Sequence, residues 1–286
     1  MTRRLRLAIP NKGRLVEPTI ALLRDAGLVF EASERALVAK VQNFDLDILF
    51  VRTNDIIEFV SDGVAELGVT GLDLVGESGT TVPQVHKLGY GRCRLTIAVP
   101  NDSPFRAAED LAGLRVATSH MNLTKKFFAS RSIPVDVIPV SGAAEVAPRL
   151  GLAEAIVDLV STGSTIVVNG LRPIEEIFES EAVMLANSAA LSDRADMINS
   201  IQTMFSATLA ARDRKYLMMN APQAKLTELE DLLPGLESPS IIPLAHEGMC
   251  AIHSVVEADQ VWALLPKLKA AGASGILILP IEKLVP

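Results

Sequence analysis

The densest chemical pattern in the chain is a run of apolar residues that ends in hydroxyls and a glycine. Ala155-Ile156-Val157-Asp158-Leu159-Val160 leads into Ser161-Thr162-Gly163-Ser164-Thr165. A strand entering such a loop, with a helix starting behind it, aims successive backbone N–H groups at one point. The helix dipole adds partial positive charge there. Ser161, Thr162 and Thr165 supply hydroxyl donors, Ser164 fills the loop, and Gly163 lets the backbone approach a ligand. In physical terms this is a phosphate cradle; the alternative is an ordinary strand-to-helix turn closed by a Ser or Thr cap. Asp158 adds weight to the cradle, because a carboxylate inside an apolar strand is costly unless it is paired or serves a ligand. One strand-length from bound phosphate, it can hold the hydroxyls of a ribose phosphate.

Basic residues form a second group. Lys12, Gly13 and Arg14 sit in a loop after the first apolar run, and Arg52 follows the run ending at Val51. Gly71-Leu72-Asp73 closes another run, and Arg92 and Arg94 flank Cys93. Strand ends are where α/β sheets bind ligands. Each of these residues also has a plainer reading: a solvated loop, a turn residue or a surface ion pair. Glu145 is a candidate to join Asp158 in holding ribose or a metal; otherwise it is a favourable charge on a helix's first turn. The four histidines, at 86, 120, 246 and 253, lack zinc spacing and read as structural or surface residues. No nucleophile elbow or Cys/His constellation is seen.

Those residues need a scaffold, and the pattern gives an α/β one. Apolar runs at 5–9, 46–51, 64–70 and 94–99 predict strands of a first lobe, with helices at 17–26 and 54–60. A second lobe is predicted from about Pro100, with strands at 114–118, 135–140 and 155–160 and a helix at 122–130. The run at 181–187 predicts a strand that could return to the first lobe. From 212 the rhythm changes: strands at 216–220, 240–244, 249–256 and 275–280, with helices at 223–233 and 259–271, give the order βαββαβ of a ferredoxin-like unit. Trp262 is expected in a core or interface. The expected domains are 1–98 with 182–211, then 99–181, then 212–286. Two α/β lobes joined by crossing chain form a cleft for a small ligand.

Composition limits the partners. The chain has 286 residues, 49% hydrophobic and 21% charged, enough for a large core without disulfide or metal staples. Aromatics at 4% argue against stacking on single-stranded nucleic acid, and a net charge of −7 argues against coating a polyanion. Cys93 and Cys250 are far apart and form no disulfide framework, and Cys93 reads as a small buried side chain. The apolar part of the N-terminus is too short for a signal peptide, and no run approaches the roughly 18 residues of a membrane span. A cytoplasmic protein without nucleic-acid or membrane partners is expected.

The order acidic residue, apolar residues, small loop, Thr-Gly-x-Thr resembles the motif by which phosphoribosyltransferases bind phosphoribosyl pyrophosphate. The wider stretch Glu145-Val146-Ala147-Pro148-Arg149-Leu150-Gly151-Leu152, running on through Thr165 to Asn169-Gly170-Leu171, is similar to the ATP phosphoribosyltransferase family. So are Ile9-Pro10-Asn11-Lys12-Gly13-Arg14-Leu15, Gly68-Val69-Thr70-Gly71-Leu72-Asp73 and Gly91-Arg92-Cys93-Arg94-Leu95. Tyr216-Leu217-Met218-Met219-Asn220-Ala221-Pro222, Leu233-Pro234-Gly235-Leu236 and Pro280-Ile281-Glu282-Lys283 resemble the regulatory domain of the family's long form.

The resemblance implies two lobes like type II periplasmic binding proteins plus a ferredoxin-like third domain. It implies that N1 of ATP attacks C1 of phosphoribosyl pyrophosphate, that pyrophosphate leaves with Mg²⁺, and that no protein nucleophile takes part. It places phosphoribosyl pyrophosphate on Glu145, Asp158, Ser161, Thr162, Gly163, Ser164 and Thr165. It places ATP on Lys12, Gly13, Arg14, Arg52, Gly71, Asp73, Arg92 and Arg94. It further implies feedback inhibition by histidine at Asn220, Leu236, Ser240, Ser254, Val255 and Gly275, and homohexamers built from dimers. The contrasting expectation is a non-catalytic binding module, since the two-lobed fold also serves solute-binding proteins.

Overall fold

Apolar runs without alternation suit strands buried on both faces, and the first such run, at Leu5, Leu7, Ala8 and Ile9, is wholly buried. The computed structural model describes residues 3–32, 36–161, 163–233, 235–236 and 238–285. The chain divides into two compact units: one runs to Arg24 and resumes over Leu28–Asn199, and the other holds Asp25–Gly27 and the chain from Ser200 onward.

In the first unit the strands are β1 (Leu5–Pro10), β2 (Val38–Lys40), β3 (Leu46–Val51), β4 (Leu67–Gly71), β5 (Gln84–Lys87), β6 (Cys93–Pro100), β7 (Arg115–Thr118), β8 (Asp136–Pro139), β9 (Ala155–Val160), β10 (Leu171–Ser180) and β11 (Ala182–Ala186). The helices are α1 (Val16–Asp25), α2 (Ile56–Ser61), α3 (Leu72–Ser78), α4 (Met121–Ser130), α5 (Ser164–Val168) and α6 (Ser188–Asp193); α7 (Ala195–Arg212) follows. One sheet has the order β2-β3-β1-β4-β11-β5, and β1 runs parallel to both β3 and β4. The other has the order β10-β6-β9-β7-β8, with β7 parallel to β8 and β9. The unit is therefore two α/β lobes, and the chain crosses between them at β5–β6 and again at β10–β11.

Two expectations need correction. The strand expected at 94–99 to close the first lobe is β6, and it lies inside the second sheet, antiparallel to β9 and β10. The crossing therefore falls before Cys93 rather than near residue 98. Gly91, at φ +66°, makes that turn, and a Cβ there would stand 2.3 Å from Leu15 Cδ2. β10 was not expected at all. It is an edge strand with register shifts at Pro173/Glu175 and Glu176/Phe178, so its residues do not alternate with period two.

In the second unit β12 (Arg214–Pro222), α8 (Leu226–Leu232), β13 (Ser240–Pro243), β14 (Met249–Glu257), α9 (Val261–Ala270) and β15 (Ser274–Pro280) follow the βαββαβ order. The antiparallel sheet has the order β13-β14-β12-β15, the ferredoxin-like arrangement. Leu217, Met219, Ile252 and Val256 face Leu229 and Leu268 of the two helices in one core. Trp262 is 84% exposed on α9, so of the two places expected for it, core or interface, the core is ruled out.

Candidate active site

β9 delivers the hydroxyl loop to the edge of the second sheet. Gly163 stands at φ +81°, immediately before α5 begins at Ser164. A Cβ there would meet nothing nearer than Val160 Cγ1 at 3.9 Å, so glycine is required by the backbone angle rather than by space. Ser161, Ser164 and Thr165 are exposed at the loop; Thr162 lies outside the described residues. Asp158 is half-buried at the end of β9 and accepts the Leu159 N–H at 2.8 Å. Burial holds its carboxyl above the usual aspartate range and the charge of Glu145 pushes the same way, against the pull of the Leu159 amide and His120. The charge of Glu145 thus acts on Asp158.

The basic residues arrive from the other side. β1 and β3 are parallel neighbours, and the Asn11 N–H donates to the Val51 carbonyl at 2.8 Å. This sets the Lys12-Gly13-Arg14 turn beside Arg52 at one sheet edge, with all four residues exposed. Gly13 takes φ +93° there. Arg14 Nη2 donates to Cys93 Sγ at 2.7 Å, which ties this turn to the start of β6. Cys93 is buried, as expected, yet it lines the site.

At the crossing of the two lobes lies a cavity of about 560 Å³, lined by Leu72, Arg92, Cys93, Arg94, Ser161 and Ser180 among others. It brings the first hydroxyl of the β9 loop to the basic pair on the crossing segment. Arg94 is ion-paired with Glu176, whereas Arg92 has no side-chain partner among the described residues. The free guanidinium of Arg92 and the Ser161 hydroxyl can hold an anionic group there, beside Lys87 and the carboxylates of Glu179 and Glu181 that also line the cavity.

Asp73 is placed differently from its neighbours. It is 3% exposed, and both carboxylate oxygens are engaged. Ser180 Oγ donates to Oδ1 at 2.5 Å, and His120 Nε2 lies 3.2 Å from Oδ2. Burial alone would raise its carboxyl, but the bonds from His120 and Ser180 and the charges of His120 and Arg14 bring it below the usual range. Gly71 has its own reason: a Cβ there would stand 2.3 Å from Asp73 Oδ1. His120 and Ser180 were missed in the sequence. His120 follows the end of β7 on the same kind of sheet edge that pointed to Arg52 and Asp73, so that signal was available; Ser180 ends the unrecognised β10 and left none.

Comparison with known proteins decides the family. Residues 52–207 match the family model described as HisG, ATP phosphoribosyltransferase, and residues 211–283 match HisG, C-terminal domain. The chain belongs to the ATP phosphoribosyltransferase family. An ATP phosphoribosyltransferase of Methanosarcina barkeri is 43% identical over 99% of this chain and 100% of its own length. One from Gemmatimonas aurantiaca is 45% identical over 99% and 100%. Among solved structures, the ATP phosphoribosyl transferase (HisG:HisZ) complex from Thermotoga maritima has 28% identity and a TM-score of 0.62, covering 71% of this chain and 96% of that one. The chain is thus an ATP phosphoribosyltransferase enzyme of the long form, at the first step of histidine biosynthesis, and the binding-module expectation falls.

The residues that resemble the family's effector positions lie in the second unit on both faces of its sheet. β12 and β14 pair so that Asn220 and Val255 share one face. Ser254 points to the other, 4% exposed, with Oγ 3.2 Å from where a Cβ of Gly235 would stand and no hydrogen-bond partner among the described residues. Gly275 lies beside Asn220, whose Nδ2 is 3.5 Å from its Cβ position. Leu236 and Ser240 are exposed.

Proposed function

We propose that the cleft of the first unit transfers the phosphoribosyl group of phosphoribosyl pyrophosphate to N1 of ATP. The observation that carries this is the cavity in which Ser161 of the β9 loop faces Arg92 and Arg94. The N–H groups and hydroxyls of the loop, Ser161, Thr162, Gly163, Ser164 and Thr165, hold the 5-phosphate, and Asp158 accepts from the ribose hydroxyls. Lys12, Arg14, Arg52 and Arg92 hold ATP and the departing pyrophosphate; Gly13 and Gly71 give the backbone its turns. In the reaction the N1 lone pair forms the bond to C1, the C1–O bond breaks, and its electrons leave on pyrophosphate. The protein's part is to align two anions and to stabilise charge on the leaving group. A divalent cation, magnesium by the family resemblance, would neutralise that leaving charge. Asp158 and Glu145 are the carboxylates that would hold it: the charge of Glu145 raises the carboxyl of Asp158, and a bound cation would offset that repulsion.

The reading extends to regulation, assembly and place. The second unit would bind histidine through Asn220, Leu236, Ser240, Ser254, Val255 and Gly275. Residues divided over two sheet faces can meet one ligand most simply where neighbouring copies join, which accords with dimers and hexamers. Leu277 and Leu279, 55% and 42% exposed beside Met218 and Tyr216, offer an apolar face for that contact. No described helix is long and apolar enough to cross a membrane, and a biosynthetic role accords with the cytoplasm.

The direct test is an absorbance assay for phosphoribosyl-ATP with purified protein, both substrates and Mg²⁺. Product formation that requires all three is the expected result; folded protein that forms none would sink the reading.

A further inference from the structure

The cleft described above is formed by two lobes, and something must set the angle between them. The chain crosses between the lobes twice, at β5–β6 and β10–β11, and two connections alone leave the lobes room to rotate. A third attachment removes it, and α3 supplies one. α3 belongs to the first lobe: Leu72, Leu74 and Val75 pack with Ala8, Ile56 and Val60. α4 belongs to the second: Leu123 and Phe128 pack with Leu95, Ile97 and Val116. Asp73, Gly76 and Glu77, spaced i, i+3 and i+4, form one face of α3, and each meets α4 or the residue that starts it.

Asp73 reaches His120 at 3.2 Å, with the side chains 4% and 7% exposed. One turn on, Glu77 receives the Asn122 N–H at 3.0 and 2.9 Å and the Leu123 N–H at 3.1 Å. Asn122 Nδ2 donates back to the Glu77 carbonyl at 2.7 Å. The first turn of a helix has free N–H groups and partial positive charge, normally met by a cap from its own chain segment. At α4 the cap residue is His120, whose side chain makes no capping bond. Its cap is borrowed from the opposite lobe. Between the two bonds Gly76 lets the helices close up: a Cβ there would stand 2.9 Å from Leu123 Cδ2. At the root of α3, Leu72 N–H donates to the Glu181 carbonyl at 2.9 Å and Asp73 N–H to Ser180 Oγ at 3.0 Å, so the same helix is fastened to the β10–β11 crossing.

We propose that the α3–α4 junction is a latch that fixes the inter-lobe angle, with Glu77 and His120 as positioning residues for phosphoribosyl transfer. The attacking N1 and the C1 it attacks are held by different lobes, so an error in the angle becomes an error in their separation. Displacement by about 1 Å can cost on the order of a hundredfold in rate. This rests on the assignment of the two substrates to the two lobes.

The test separates turnover from binding. Glu77→Ala should lower kcat by about tenfold or more, while calorimetric affinity for phosphoribosyl pyrophosphate alone and for ATP alone stays within about twofold. Glu77→Gln keeps an oxygen acceptor for the α4 amides and should recover most of the loss. Should Glu77→Ala fold poorly, Gly76→Val wedges the same junction and should lower kcat, and adding Leu123→Ala should restore it. An unchanged kcat in both Glu77→Ala and Gly76→Val overturns the latch. So does a fall in kcat matched by equal losses in both single-substrate affinities, which is the signature of general damage. Failure of the substrate assignment reads out elsewhere: Thr165→Ala would then leave phosphoribosyl pyrophosphate affinity intact, whatever Glu77→Ala does.

Discussion

Two aspartates of the first unit have opposite environments, and opposite consequences follow. Asp158 is held above the usual range by burial and by Glu145. The fold favours its neutral form, so its contribution is present at low pH and is lost as pH rises through the raised value; near pH 7 the ionised side chain burdens the fold. Asp158→Asn is therefore expected to keep or raise the thermal midpoint at pH 7 while kcat/KM falls. A midpoint lowered by several degrees would make Asp158 a structural carboxylate. Asp73 is held below the usual range despite its burial. Ionised Asp73 stabilises the fold above the ordinary aspartate range, and that stability is lost as pH falls through the lowered value. Asp73→Asn should lower stability at pH 7 and flatten the acid limb of a urea-midpoint profile below about pH 4. Asp73 was legible as chemistry through its position after a strand. Its partners were not, because spacing along the chain carries no sign of a histidine 47 residues away or a serine 107 away.

Among the elements, those with an unbroken physical signal were legible. Wholly buried β1, the apolar run of β9 and the βαββαβ tail follow from apolar pattern and turn residues alone. The losses have specific causes: β10 is bulged and charged along its exposed side, β2 and β5 are short edge strands, and β6 looks like any buried strand whichever sheet receives it. That last ambiguity is settled by Gly91, the positive-φ turn between the lobes. Gly91→Ala must hold an alanine at φ +66° and push Leu15 aside. It should cost about 1–3 kcal/mol in urea unfolding, and a loss under about 0.5 kcal/mol would show that the turn relaxes freely.

For the whole molecule, the proposed transfer site lies in the two-lobed unit and the proposed effector residues lie in the ferredoxin-like unit. Among its described residues the second unit carries no hydroxyl cradle of the β9 kind, and its candidate effector residues on β12 and β14 lie on two faces of one sheet. Histidine is expected to inhibit the full chain. Asn220→Ala should raise the half-inhibitory concentration by about fivefold or more, within the usual range of allosteric coupling, and leave the uninhibited rate unchanged. Initial rates across a histidine series check this. An enzyme that is active yet indifferent to millimolar histidine would remove the regulatory reading and leave the transfer reading untouched. The central claim is that the loop after β9 holds phosphoribosyl pyrophosphate and not ATP. Calorimetric titration of each substrate into the wild type and Thr165→Ala tests it most directly. Loss of a hydrogen bond to a charged phosphate, about 1.5–3 kcal/mol, should weaken phosphoribosyl pyrophosphate roughly tenfold to a hundredfold and spare ATP; equal losses for both substrates, or none for either, would contradict the account.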